Sequence, residues 1–175
     1  INILHRALEM DSLITTNVMS ERKGDDIIQY TNAKFSTLLR MFEKVIGPVE
    51  LKKKILNFIN NFKFQSTTAN DFFDILSAEE TEQELNLTGI FKFWANNPGY
   101  PLIEIVSRNE TSITVVQKRF LIFTDEESTN EPWTIPITFI TSNGEVNEDT
   151  ILMDTDEMTL NVPLYNWIIL NVNQI

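Results

Sequence analysis

The strongest helical period in the chain runs through residues 27–46. Phe35, Leu38, Leu39, Phe42, Val45 and Ile46 fall at steps of three and four and make one apolar stripe. Lys34, Arg40, Glu43 and Lys44 fall mostly outside that stripe, and Tyr30-Thr31-Asn32 reads as a turn leading into it. Four more helices are predicted around it. Residues 1–13 carry Ile3, Leu4, Ala7, Leu8 and Leu13 at partial helical spacing. After Gly47-Pro48, a stop and restart, residues 48–62 place Leu51, Ile55, Phe58, Ile59 and Phe62 on a buried side. Thr68 and Asp71 form a capping pair ahead of a helix at about 69–78, and Leu85, Leu87, Ile90, Phe91 and Trp94 pattern a helix over 85–97. Asn96-Asn97-Pro98-Gly99 ends it.

From Tyr100 the period changes to two. PLIEIVSR, SITVVQKRFLIF, WTIPITFI and NWIILNV are β-branched and aromatic runs separated by turn signals at Asn109-Glu110 and Asn143-Gly144. Helical sequence followed by strand sequence predicts an α+β chain. The expected division is an all-α segment over residues 1–98 and a small β-sandwich over 99–175. Charge follows the same border. Residues 1–98 hold 11 Lys/Arg against 13 Asp/Glu, a net of −2, while 99–175 hold 3 against 12, a net of −9.

The overall charge of −11 excludes the basic face that nucleic-acid recognition needs. No apolar run approaches the roughly 20 residues that span a bilayer, so no membrane contact is expected from the chain itself. No signal peptide pattern opens it, and a start at Ile1 in helix-like sequence suggests a piece of a longer polypeptide. Cysteine is absent, which removes disulfides and thiolate metal ligands. His5 is the single histidine, and a zinc site usually takes three or four clustered ligands, so His5 reads as a surface or packing residue. Asp25-Asp26 suits a helix N-terminus better than acid–base work, and Lys52-Lys53-Lys54 reads as an exposed helix face. Asn86-Leu87-Thr88 and Asn109-Glu110-Thr111 are N-glycosylation sequons, with Asn109 in a predicted hairpin turn the better acceptor.

Read together, several segments resemble the zinc aminopeptidase N family, the gluzincin aminopeptidases. KFSTLLRMFEKVIG is similar to that family's Lys-Gly-x-x-Val-Leu-Arg-Met-Leu helix. Asn61-Phe62-Lys63-Phe64 followed by the Thr68–Asp71 helix, Trp94 with Gly99-Tyr100-Pro101, and the strands QKRFLIF, WTIPITF and NWIILNVNQ follow in the family's order. HRALEMDSL is similar to the helix upstream. The ordered set covers nearly the whole chain.

The resemblance implies that residues 1–98 end a thermolysin-like catalytic domain and that 99–175 are most of an Ig-like β-sandwich. It implies zinc held upstream of residue 1, none held by this chain, and peptides or proteins and the rest of the same polypeptide as partners. It also implies an extracellular or cell-surface setting. The family's oxyanion-stabilising tyrosine stands two residues before the lysine. Anchored on Lys34, Arg40 and Met41, that place holds Asn32, and Phe35 stands where the family has glycine. Tyr30 takes the role only with a local insertion or bulge. Two departures at adjacent positions imply an impaired or inactive site, with a binding or scaffolding role. An active aminopeptidase with Tyr30 shifted, or Asn32 as a weaker donor, is the alternative.

Overall fold

The computed structural model describes residues 2–12, 25–77, 86–122, 131–144, 147, 150–163 and 165–172. Its first half is helical: α1 (Asn2–Asp11), α2 (Asp25–Ile46), α3 (Pro48–Asn61), α4 (Ala69–Ser77) and α5 (Leu87–Asn96). Its second half is antiparallel: β1 (Tyr100–Arg108), β2 (Ser112–Phe120), β3 (Ile135–Ile137), β4 (Phe139–Thr141), β5 (Ile151–Met153), β6 (Glu157–Asn161) and β7 (Ile168–Leu170). The chain is α+β, with no described helix long and apolar enough to cross a membrane.

Local chemistry sets the helix ends. Gly47 adopts φ 86°, where a side chain would be strained, and closes α2 through its N–H to Glu43 O at 2.9 Å. Its own carbonyl receives Leu51 N–H at 3.1 Å, so one glycine ends α2 and starts α3. The expected Thr68–Asp71 capping pair forms in both directions. Thr68 N–H and Oγ1–H donate to Asp71 Oδ2 at 2.7 Å each, and Asp71 N–H returns to Thr68 Oγ1 at 3.3 Å. Asn86 caps α5 by accepting Gly89 N–H at 2.8 Å.

The helical core gathers Leu38, Met41 and Phe42 of α2, Leu51 of α3, Phe73 and Leu76 of α4, and Leu87, Phe91 and Ala95 of α5. Phe91 is its centre, with ring centroids 4.4 Å from Phe73 and 4.8 Å from Phe42. A second core lies among the strands, built on Ile113, Val115, Trp133, Ile135, Ile137, Phe139, Met153, Leu160 and Val162. Trp94 packs against both cores, stands 4.5 Å from Trp133 centroid to centroid, and donates Nε1–H to Thr134 O at 3.0 Å.

The sheets are β1-β2-β6, β3-β5 and β4-β7. On β2 the odd positions Ile113, Val115 and Gln117 face inward and are buried. Gln117 is a polar staple in that core: its Nε2 donates to Trp133 O at 3.0 Å and Thr155 O at 2.8 Å, and its Oε1 accepts Trp133 N–H at 2.9 Å.

Several expectations need correction. Tyr30-Thr31-Asn32 is not a turn, because α2 begins at Asp25 and runs unbroken past it. Lys34 and Lys54 are buried rather than displayed, whereas Ile59, expected inside, is 55% exposed. WTIPITFI is not one strand. It divides at Thr138 into β3 and β4, which pair with different partners, β5 and β7. Strands β5 and β6 were not anticipated. Gly144 N–H does close a turn onto Thr141 O at 2.9 Å, and Asn147 returns beside β4 through its N–H to Phe139 O at 3.3 Å. Val146, expected to follow that turn, and Leu85, expected in α5, lie outside the described residues.

Candidate functional site

Two features of α2 stand at the sequence-predicted site. The first is its leading segment. Asn32 is exposed, and its backbone carbonyl accepts Ser36 Oγ–H at 2.7 Å in the helix. Ala33 beside it is buried. Tyr30 belongs to the same helix, and its side chain lies outside the described residues. Residues two apart on an α-helix are rotated by about 200°, so positions 30 and 32 are on different sides of the α2 axis. Phe35 is partly buried, packed on the helical core with its ring 6.1 Å from that of Phe73.

The second feature is Lys34, 3% exposed. Its ammonium donates to Asp11 Oδ1 at 2.6 Å and to Asn97 O at 3.1 Å. Asp11 lies at the end of α1 and Asn97 just beyond α5, so one side chain of α2 is tied to both neighbours. Burial pulls the Lys34 ammonium below its ordinary pKa, against the opposing pull of Asp11. Burial and the Asp11 charge both raise the Tyr100 phenol. Burial lowers the nearby Arg119 guanidinium.

The polar pair opens onto a groove of about 590 Å³ between α1, α2 and the strands. Its walls are mostly apolar, including Leu38, Met41, Ile103, Ile135, Ile137 and Leu170, with His5 and Arg40 among its polar lining. The shape suits docking of an apolar surface. Among the described residues Lys34 and Asp11 are committed to each other rather than arranged as nucleophile and base. Among the described residues no three His, Cys, Asp or Glu converge, and the chain has one histidine and no cysteine, so its described part does not fit a zinc ligand set.

The sequons sit differently. Asn86 has its carboxamide oxygen engaged as the α5 cap. Asn109 is exposed in the β1–β2 turn, where its Oδ1 accepts Thr111 N–H at 2.9 Å and Ser112 N–H at 2.8 Å. These bonds engage its oxygen, and among the described residues no hydrogen bond uses its amide nitrogen.

The Asp11–Lys34 pair was missed in the sequence, although a signal was there. Lys34 stands four residues before Leu38 and seven before Met41, which is the apolar stripe itself. Lys54 likewise shares the face of Leu51 and Phe58.

No family model matches the chain. Individual proteins do, and those compared are aminopeptidases by name or partners of a protease. The chain is 30% identical over 160 residues to Probable aminopeptidase 1 of Saccharolobus solfataricus, covering 86% of the chain and 19% of that protein. It is 25% identical over 166 residues to Aminopeptidase 2 of Candida albicans, covering 91% and 18%. It is 28% identical over 157 residues to Tricorn protease-interacting factor F2 of Thermoplasma volcanium, covering 85% and 19%. The chain thus spans about a fifth of the length of these curated relatives.

Proposed function

We propose that the chain is part of a polypeptide of the zinc aminopeptidase N family. Residues 1–98 end its catalytic domain and residues 99–175 belong to the β-sandwich that follows. Similarity to named aminopeptidases along nearly the whole chain supports this reading. Zinc would be held by residues outside the chain. The role left to this chain is one wall of the site, the leading segment of α2.

The observation that carries the functional reading is the exposure of Asn32 two residues before a buried lysine. With Lys34 fixed, the side chain at position 32 stands free to face a substrate. A phenol there donates an acidic O–H to a developing oxyanion. A carboxamide is shorter and a weaker acid. Loss of one such donor costs about 10²–10³ in rate. The polypeptide is therefore an impaired or inactive aminopeptidase that binds peptides or proteins. The test is peptide hydrolysis by the full-length polypeptide with and without Asn32→Tyr: slow turnover that rises in the variant supports the reading, and turnover equal to the named relatives refutes it.

The names of the relatives favour a second reading, an active aminopeptidase in which Asn32 is a weaker donor or Tyr30 is brought into place. Under it, Asn32→Ala lowers kcat while Tyr30→Phe is silent, or the reverse. The same family reading puts the polypeptide at the cell surface or outside the cell, with Asn109 as a glycan acceptor. Glycosidase treatment that shifts the secreted protein but not its Asn109→Gln variant tests that placement.

A further inference from the structure

Five polar contacts converge where the helices meet the strands. Lys34 of α2 donates to Asp11 at the end of α1 and to Asn97 O after α5. Gly99 N–H, one residue before β1, donates back to the backbone carbonyl of Asp11. Ile122 N–H, beyond β2, donates to Ser12 O at 2.9 Å. The Arg119 guanidinium of β2 donates from Nε to Pro98 O at 2.9 Å. The end of α1 is therefore bonded to α2 on one side and to the β1–β2 hairpin on the other.

We infer that the Asp11–Lys34 pair is a positioning latch that fixes the placement of the strand half on the helical half. A buried ion pair is a poor device for stability alone, because desolvation offsets most of its attraction. Its geometry, in contrast, is demanding. The side chains are 4% and 7% exposed, so a partner that moves away leaves a charge with little solvent to replace it. The edge-on aromatic contact of Trp94 with Trp133 also joins the two halves, but ring packing is less directional than an ion pair. The latch restricts relative movement of the halves by tying the α5–β1 connection to α2 through directional bonds. Gly99 belongs to it. With φ 88° and a virtual Cβ 2.7 Å from Phe120 O, it brings the chain closer to β2 than any side chain allows.

The test is made on the full-length polypeptide, with any cysteine outside this chain replaced by serine; this chain itself has none. Nitroxide labels at K52C on α3 and E157C on β6, both exposed positions, report the distance between halves. Labels at E110C and E157C report within the strand half as a control. The Asp11→Leu/Lys34→Met double variant replaces the pair with apolar groups and keeps the chain folded. The expected result is a broadened and shifted distance distribution between halves, with the control distribution unchanged. A between-halves distribution that superimposes on the parent's overturns the inference. So does a control that changes as well, because the pair would then serve the internal fold of the strands rather than their placement.

Discussion

Lys34 Nζ lies 2.6 Å from Asp11 Oδ1 in a pocket where both side chains are almost fully shielded from solvent. The two residues are 23 positions apart, and their pairing joins α1 to α2. Removing one partner leaves the other as a buried uncompensated charge. Lys34→Met or Asp11→Leu is expected to destabilise the chain by about 3–5 kcal/mol, while the apolar double variant Asp11→Leu/Lys34→Met recovers most of that loss. Urea unfolding of the three variants measures it. Additive losses in the double variant would show that the residues act separately.

Gln117 is the second buried polar centre. Its carboxamide satisfies Trp133 N–H and the carbonyls of Trp133 and Thr155. Gln117→Leu keeps the volume but orphans those backbone groups. The expected loss is about 1–3 kcal/mol by denaturant titration. Thr114→Val, on the solvent face of the same strand, is expected to be close to neutral.

Gly99 gives a backbone test. Gly99→Ala forces a side chain into φ 88° and against Phe120 O, and the loss is expected to exceed about 1 kcal/mol. Gly144→Ala has the positive φ, 75°, without the steric conflict, so its cost is expected to be smaller.

Asp71 carries a pH signature. Hydrogen bonds from the Thr68 side chain and backbone hold its carboxyl below the ordinary carboxylate pKa. The folded state therefore releases this proton more readily than the unfolded chain. The resulting stabilisation is complete above the unfolded value and is lost as pH falls toward the depressed folded value. Thr68→Ala is expected to flatten that part of the stability–pH curve, measured by urea midpoints from neutral pH down through the carboxylate range.

The helices were legible because each carries an apolar stripe of three or four residues per two turns, and Gly47-Pro48 and Thr68–Asp71 mark their ends in the residues themselves. The burial of Lys34 and Lys54 was not legible because charge argues for solvent; for Lys34 it shows only once Asp11, distant in sequence, is seen to supply a counter-charge. The strand runs were legible in β1 and β2, both nine residues long, with in–out alternation carried by β2. β5 and β6 are three and five residues long and lie among acids such as Asp154, Asp156 and Glu157, so their pattern is swamped by polar neighbours. The break at Thr138 depends on which partner each side of it meets, which periodicity does not encode. At the candidate site, Asn32 comes from the family resemblance anchored on Lys34. Its place on a continuous helix rather than a turn was not legible, because Tyr30-Thr31-Asn32 lacks the strong helix formers that would extend α2 backward.

Under the proposed function, Asn32 stands where an aminopeptidase needs an oxyanion donor. The most direct measurement is kcat/KM for an aminoacyl anilide, taken on the full-length polypeptide and its Asn32→Tyr variant beside an active relative. Slow turnover by the parent and a gain of about 10²–10³ in the variant are expected. Turnover by the parent equal to that of the relative, with no gain from tyrosine, would contradict the proposed function.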